Sequence, residues 1–447
     1  MKRLAVDIVF ISIPFLLLIS CDKSIPVIRE ENQSYRVTIE DVNSYLCDCR
    51  GLSADTKSIA EIEVEPVLHD NDTVMYIINY GEGWDVLSAD KRAPVVLMTC
   101  DKGSLDINGL YSNPVQTEYV DKIANVIADL SNSTDDAVLC KNDNWINSGG
   151  LYVTSRSDTW TDWFLAGTSL YKIDTLSNQS HLLLTHWGQQ GKWNKKAPYS
   201  SPEQTSHCPT GCVMVAGSQV LYYLHYKIGV PDNIYMDSSC SACLSERDTV
   251  ITLNDTNVLF QNYDNLSWDL MPLSQDENLS QTRFNYVSTL MTRIGYLVSA
   301  TYTENATGAY TYNLLDAFED EFSIRGVRCD YADFDIVREQ IVDKGLPCIF
   351  SLNSSVGGHA VVADGFRYLR VHTKYHYIKY NEEGDILRRT DIVLSYRGYV
   401  AINWGWDGLG DNDQETGATI WYNTATIDWM GFDTFKYMLY GFECTDN

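Results

Sequence analysis

The sequence predicts an α+β fold, and three observations carry that prediction. Apolar residues recur at helical spacing in several stretches ahead of Leu346, most clearly at Val213, Ala216, Val220, Leu224 and Ile228. From Leu346 onward the pattern shifts to short runs that read as strands, Pro347 to Ser351 and Ala360 to Ala363. Helices first and strands after is an α+β order. Tyrosine is also abundant, 29 against 13 phenylalanines, and its wet-ended ring suits half-buried strands.

Taken in order, the chain opens with Lys2 and Arg3, then a mostly apolar Ala5 to Ile19 broken by Asp7, Ser12 and Pro14. That is too short and interrupted for a membrane span and right for a signal peptide, residues 1–20. Leu18-Ile19-Ser20-Cys21 resembles the lipobox of bacterial lipoproteins, which implies cleavage before Cys21 and a lipid on its sulfur. Residues 21–36 are polar and read as a tether. A first compact region, 37–150, begins with a short helix at Asp41 to Leu46. Val74 to Asn79, Trp84 to Ala89 and Pro94 to Thr99 read as strands. Gln116 to Leu130 has a helical period through Val120, Ile123, Val126, Ile127 and Leu130.

Ser131 to Asn144 and Ser155 to Thr161 are polar clusters of the kind that mark exposed linkers, where proteolytic nicking concentrates. They place a boundary between about 131 and 165 and a second domain over 165–447. Val213 to Ile228 is a helix stopped by Gly229 and Pro231. Ser238 to Thr252 and Asn254 to Asn265 read as an irregular insertion. Further helices are predicted over Asn278 to Ala300, Tyr312 to Phe318 and Asp333 to Asp343. A long polar-aromatic hairpin follows, Tyr368 to Tyr380 and Ile386 to Val400, turning at Glu382 to Asp385.

The bulk numbers bound the function. At 447 residues the chain is long enough for a large core. Its formal net charge of -27 repels phosphate backbones and argues against a nucleic-acid partner. Twelve cysteines agree with export, although their pairing cannot be read from sequence.

Four short stretches carry chemistry. Cys212, in Cys208-Pro209-Thr210-Gly211-Cys212, stands at the first turn of a helix. Helix N-termini favour the thiolate, the reactive form of cysteine. Gly211 lets the chain turn sharply and leaves room for a substrate backbone. His359 follows Gly357 and Gly358 and opens a strand, which fixes its direction as a general base requires. Asn403, beside Trp404 in Asn403-Trp404-Gly405-Trp406, offers an amide to orient an imidazole while the indole shields the bond. Gln189 or Gln190, in Trp187-Gly188-Gln189-Gln190, offers a donor for a developing oxyanion. Each stretch alone is more often structural than catalytic. Cys240-Ser241-Ala242-Cys243 has no second cysteine pair at zinc-site spacing, so a structural disulfide or loop clip is the expectation there, and no metal.

Together and in this order, these residues resemble the streptopain group of papain-like cysteine peptidases. The likeness rests on Trp187-Gly188-Gln189 with Pro198-Tyr199, on Cys208 to Cys212, on Gly357-Gly358-His359-Ala360 with Asp364-Gly365, and on Asn403 to Trp406. It implies a papain-like fold, a helical part carrying the cysteine and an antiparallel sheet part carrying the histidine. By the same resemblance Cys212 is the nucleophile, His359 the base, Gln189 the oxyanion donor, and Asn403 with Trp404 the pair that orients and shields the histidine. No cofactor is implied. Gly83 to Pro94 is similar to the family's prodomain, so region 37–150 reads as a small α+β prodomain that inhibits the domain behind it. Three departures stand out: Asp407 replaces a glycine, Leu409 to Gly417 is longer and more acidic than the family pattern, and Asn233 to Asn265 looks inserted. The expectation is an exported lipoprotein endopeptidase made as a zymogen and acting on proteins or peptides. Its anchor places it at an outer membrane, cell surface or periplasmic face, with release on prodomain cleavage left open. The alternative is a weak or inactive surface lipoprotein that uses the same scaffold for binding.

Overall fold

In the computed structural model the protein is described over residues 35–50, 62–112, 114–132, 163–200, 206–230, 241–246, 249–254, 266–352, 358–380, 385–429 and 435–444. The signal and lipobox, the polar linker clusters apart from Ser131 and Asn132 at the end of the preceding helix, Cys240, Gly357 and most of 231–265 lie outside these residues.

The N-terminal module runs α1 (Ile39–Arg50), β1 (Ile62–His69), β2 (Asp72–Tyr80), β3 (Gly83–Ser88), β4 (Val96–Cys100), a short α2 (Ile107–Leu110) and α3 (Pro114–Asn132). β1 to β4 form an antiparallel meander. Both β3 and β4 are buried along their whole length, because α3 covers one face of the sheet and α1 the other. α3 starts at a proline, whose missing N–H costs nothing in a first helical turn.

The C-terminal part begins with β5 (Phe164–Gln179) and then α4 (Cys212–Ile228). α4 is closed by Gly229 in the left-handed region, as its sequence implies. A hairpin of β6 (Ser241–Glu246) and β7 (Thr249–Asn254) stands where the sequence suggested irregular chain. Next come α5 (Gln281–Leu297), β8 (Thr301–Tyr302), β9 (Thr307–Gly308), α6 (Asn313–Phe322), β10 (Ile324–Arg325), β11 (Arg328–Tyr331) and α7 (Phe334–Arg338), which runs on into a π-helical turn at Glu339–Lys344. The strands that follow are β12 (Cys348–Leu352), β13 (His359–Tyr380), β14 (Ile386–Asn403), β15 (Ile420–Asn423), β16 (Phe435–Tyr440) and β17 (Glu443–Cys444), with α8 (Thr424–Trp429) after β15.

The main sheet has the order β1-β2-β3-β4-β15-β14-β13-β12-β16-β11, with β5 added on β13. The two parts of the chain therefore share one sheet. The join is β4 against β15, with Ile420 opposite Cys100, Trp421 opposite Thr99 and Tyr422 opposite Met98. One apolar core lies among α4, α5 and α6 and includes Trp187, Trp193, Met214, Val220, Phe284 and Phe318. A second gathers Tyr119, Val120 and Ile123 of α3 with Phe350, Ile402, Trp404 and Tyr422. Each fully buried aliphatic or aromatic side chain contributes roughly 1.5–3 kcal/mol, so this shared core ties the N-terminal module down firmly. No helix among the described residues is long and apolar enough to cross a membrane.

Candidate active site

The site lies where the first turn of α4 meets the first residue of β13. Gly211 precedes the helix at φ +92, a conformation that L side chains rarely adopt. A methyl group there would stand 2.7 Å from the Thr307 carbonyl oxygen. Only glycine lets the chain swing from the Cys208–Thr210 loop into the helix at this point, and the swing is what presents Cys212 at the helix start. The loop is held from both sides. The N–H of Thr210 donates to the Gln189 carbonyl at 2.9 Å, and the Thr307 hydroxyl donates to the Pro209 carbonyl at 2.6 Å.

Cys212 and His359, distant in sequence, are hydrogen-bonded through their side chains. Burial alone would push the Cys212 thiol up, but the charge of His359, its hydrogen bond and the N–H groups of Ala360 and Val213 outweigh it, and the thiol pKa falls below its ordinary value. Burial alone would push the His359 imidazole down. The sulfur, the Trp404 carbonyl and the Glu118 carboxylate outweigh that, and its pKa rises. Opposite shifts on the two partners favour a thiolate facing an imidazolium. Nε2 of His359 donates to the Trp404 carbonyl at 3.3 Å, which leaves Nδ1 for the sulfur.

Asn403 does not touch the imidazole, contrary to the expectation for it. Its Nδ2 donates to the Thr185 carbonyl at 2.8 Å, and its Oδ1 accepts from Gln219 Nε2 at 2.9 Å and from the Gly405 N–H at 3.1 Å. The physical reason is local. Gln219 lies two turns beyond Cys212 on α4 and is fully buried, so its amide needs a buried partner, and Asn403 supplies one. The backbone carbonyl of the next residue takes the imidazole instead. The Trp404 ring packs between Tyr119 at 5.9 Å and Tyr422 at 5.4 Å, and its Nε1 donates to the Tyr422 hydroxyl at 3.0 Å. Gln189 is half-buried beside the cysteine loop, whereas Gln190 is exposed. Cys243, on β6, is a free thiol, and Cys240 lies outside the described residues.

Three functional neighbours escaped the sequence. Gln219 carried no signal beyond its helical position. Asp411 is fully buried and His181 partly so, and both are bonded into the surroundings of Trp404. The acidic run after Trp406 was the one visible hint of Asp411.

Fold and site together define a cysteine-type peptidase of papain-like fold, with an N-terminal module packed against the site. More particularly, the chain belongs to the Peptidase C10 family, whose model matches residues 187–412. Streptopain of Streptococcus pyogenes is 21% identical over 409 residues, 86% of each chain. Streptopain of Streptococcus pyogenes serotype M28 is 22% identical over 411 residues, again 86% of each. The solved structure of a Prevotella intermedia prointerpain A fragment shares the fold, with a TM-score of 0.51 at 20% identity, over 86% of this chain and 100% of that one.

Proposed function

We propose that this chain is an exported, lipid-anchored cysteine endopeptidase, made as a zymogen, that cleaves peptide bonds through Cys212 and His359. The observation that carries the reading is the meeting of those two side chains, one from the first turn of α4 and the other from the first residue of β13. The thiolate attacks the scissile carbonyl, and the oxyanion takes hydrogen bonds from the Cys212 N–H and the Gln189 side-chain amide. The tetrahedral intermediate collapses as the His359 imidazolium gives its proton to the leaving amine, leaving a thioester on Cys212. Water, deprotonated by His359, attacks that thioester, and collapse releases the acid and restores the thiolate.

The zymogen reading draws support from the N-terminal module. α3 sets Tyr119 against the Trp404 ring and Glu118 within electrostatic reach of His359. A module so placed covers the cleft, and cleavage between about 131 and 181 would begin its removal. The anchor at Cys21 rests on the residues that precede it.

The test is covalent labelling by a thiol-directed epoxide, read by mass spectrometry, with casein-type substrate cleavage alongside. The activated protein should take one epoxide on Cys212 and lose activity with it, and Cys212→Ser should abolish both. An activated protein that cleaves substrate unchanged after Cys212→Ser refutes the assignment. Full-length protein as active as the processed form refutes the zymogen claim.

A further inference from the structure

The carbonyl that holds His359 belongs to a peptide that is itself held. The N–H of Trp404 donates to Oδ1 of Asp411 at 2.8 Å, and both residues are completely buried. The backbone carbonyl of Asp411 accepts from Nε2 of His181 at 3.2 Å. Nδ1 of His181 lies 2.7 Å from Oδ1 of Asp364, whose other oxygen accepts the Leu183 N–H at 2.9 Å. Asp364 is fully buried and sits on β13, the strand that His359 opens.

We propose that His181 and Asp411 are positioning residues for the His359 imidazole, joined in a hydrogen-bonded circuit that leaves β13 at Asp364 and returns to it at His359. The inference rests on the peptidase reading above. A carbonyl at 3.3 Å is a marginal acceptor, and its direction depends on the plane of the Trp404 peptide. A buried carboxylate on the N–H side of that residue fixes the plane, and the charged bond is stronger than a neutral one. His181 engages both ring nitrogens, the arrangement of an imidazolium, and its pKa is raised to about 9: burial opposes the charge, but Asp364 and Asp411 outweigh it. The circuit thus has a cation between two carboxylate-bearing residues, and the loop from Trp404 to Asp411 cannot shift without breaking it. Neither residue touches substrate or sulfur.

Other ionisable groups surround the pieces. His359 faces Cys212 of α4 and Glu118 of α3. Asp411 faces His186 at 3.5 Å as well as His181, and burial pushes its carboxyl up. Asp407, raised chiefly by burial and further by Asp276 and Asp411 against its bond from Trp193, lies on the same loop.

The test uses the full chain activated by limited proteolysis, with kcat, KM and the pH dependence of Cys212 alkylation by iodoacetamide followed on the Cys212 peptide. Asp411→Ala should lower kcat about ten- to a hundredfold with KM within about twofold, the scale of a small misplacement of a reacting group. It should also narrow the thiolate–imidazolium window, the Cys212 limb moving up in pH and the His359 limb down. Asp411→Asn, which keeps an acceptor for the Trp404 N–H, should restore most of kcat. His181→Gln should shift both limbs in the same sense, by less. The proposal is overturned if Asp411→Ala, with the wild-type melting temperature, keeps wild-type kcat and limbs, or if Asn rescues nothing. Should Asp411→Ala fail to fold, His181→Gln decides, and unchanged limbs with unchanged kcat overturn it. Absence of peptidase activity in the wild type refutes the proposed function itself and this circuit's role with it, whereas an active wild type with indifferent variants refutes the circuit alone.

Discussion

At the scale of single residues, the proposed mechanism and the opposite shifts on Cys212 and His359 predict a working window. Below the lowered Cys212 pKa the sulfur is a thiol and does not attack. Above the raised His359 pKa the imidazole is neutral and has no proton for the leaving amine. The profile of kcat/KM against pH should therefore be a bell whose acid limb lies below the ~8.5 of a free thiol and whose alkaline limb lies above the ~6.5 of a free imidazole. A rising sigmoid with no alkaline limb would contradict the pair. His181 makes a separate prediction about stability. Its folded pKa, about 9, exceeds the unfolded ~6.5, so its contribution is complete below pH ~6.5 and is lost as pH rises through about 9. The difference is of order 3 kcal/mol. Urea unfolding at pH 6 and pH 9.5 should show that loss in the wild type and much less of it in His181→Gln.

The same scale shows where residue-by-residue reading works and where it stops. Cys212 and His359 stood out because glycines and a helix or strand start surround them, features that local chemistry explains. Asn403 takes partners other than the imidazole. An amide next to a tryptophan has several ways to be satisfied, and the choice was made by Gln219, a residue on another element. His181 and Asp411 meet only because β13 and the loop after Trp406 come together, a contact no local pattern announces.

At the scale of elements, period and punctuation carried most of the helices. α3, α4, α5 and α6 lie where apolar spacing placed them, and Gly229 ends α4. No sequence pattern announces β5. It runs along β13, none of its described residues is buried, and Tyr171 and Leu176 are exposed, so its sequence lacks a clean buried face. The β6–β7 hairpin reads as irregular in sequence for the same want of a strong pattern. The turn ahead of α4 yields a sharp prediction. Gly211→Ala must hold φ +92 with ψ 147, a region close to glycine's own, at roughly 1–3 kcal/mol, and also clear the Thr307 carbonyl. It should lower the melting temperature by several degrees and slow epoxide labelling of Cys212 at least tenfold. Wild-type labelling in a less stable protein would show that the turn supports the fold and not the thiolate.

At the scale of the whole molecule, the shared sheet was not legible from sequence. Strand order between β4 and β15 depends on residues some three hundred positions apart, and the sequence suggested two separate domains. Across the join, Asn423 Nδ2 donates to the Val96 carbonyl at 2.6 Å, Gln116 Nε2 to the Tyr422 hydroxyl at 3.2 Å, and Trp84 Nε1 to Asp413 at 3.4 Å. Arg367 of β13 pairs with Asp101 just after β4. A cut in the chain between α3 and β5 removes none of these bonds. The two pieces should therefore co-elute in size-exclusion chromatography at neutral pH, and full activity should appear only after the N-terminal piece is displaced or degraded. Two peaks directly after the cut would contradict this.

The aromatic make-up of that seam has an optical consequence. Trp84, Trp404 and Trp421 are each shut away from water there, Trp404 against a tyrosine from the other side and Trp421 beneath the Arg367 guanidinium. Lifting the N-terminal module off would wet these indoles, and their emission should move to longer wavelength. Activation can thus be followed in real time by intrinsic fluorescence, without a dye, a label or a chromogenic peptide.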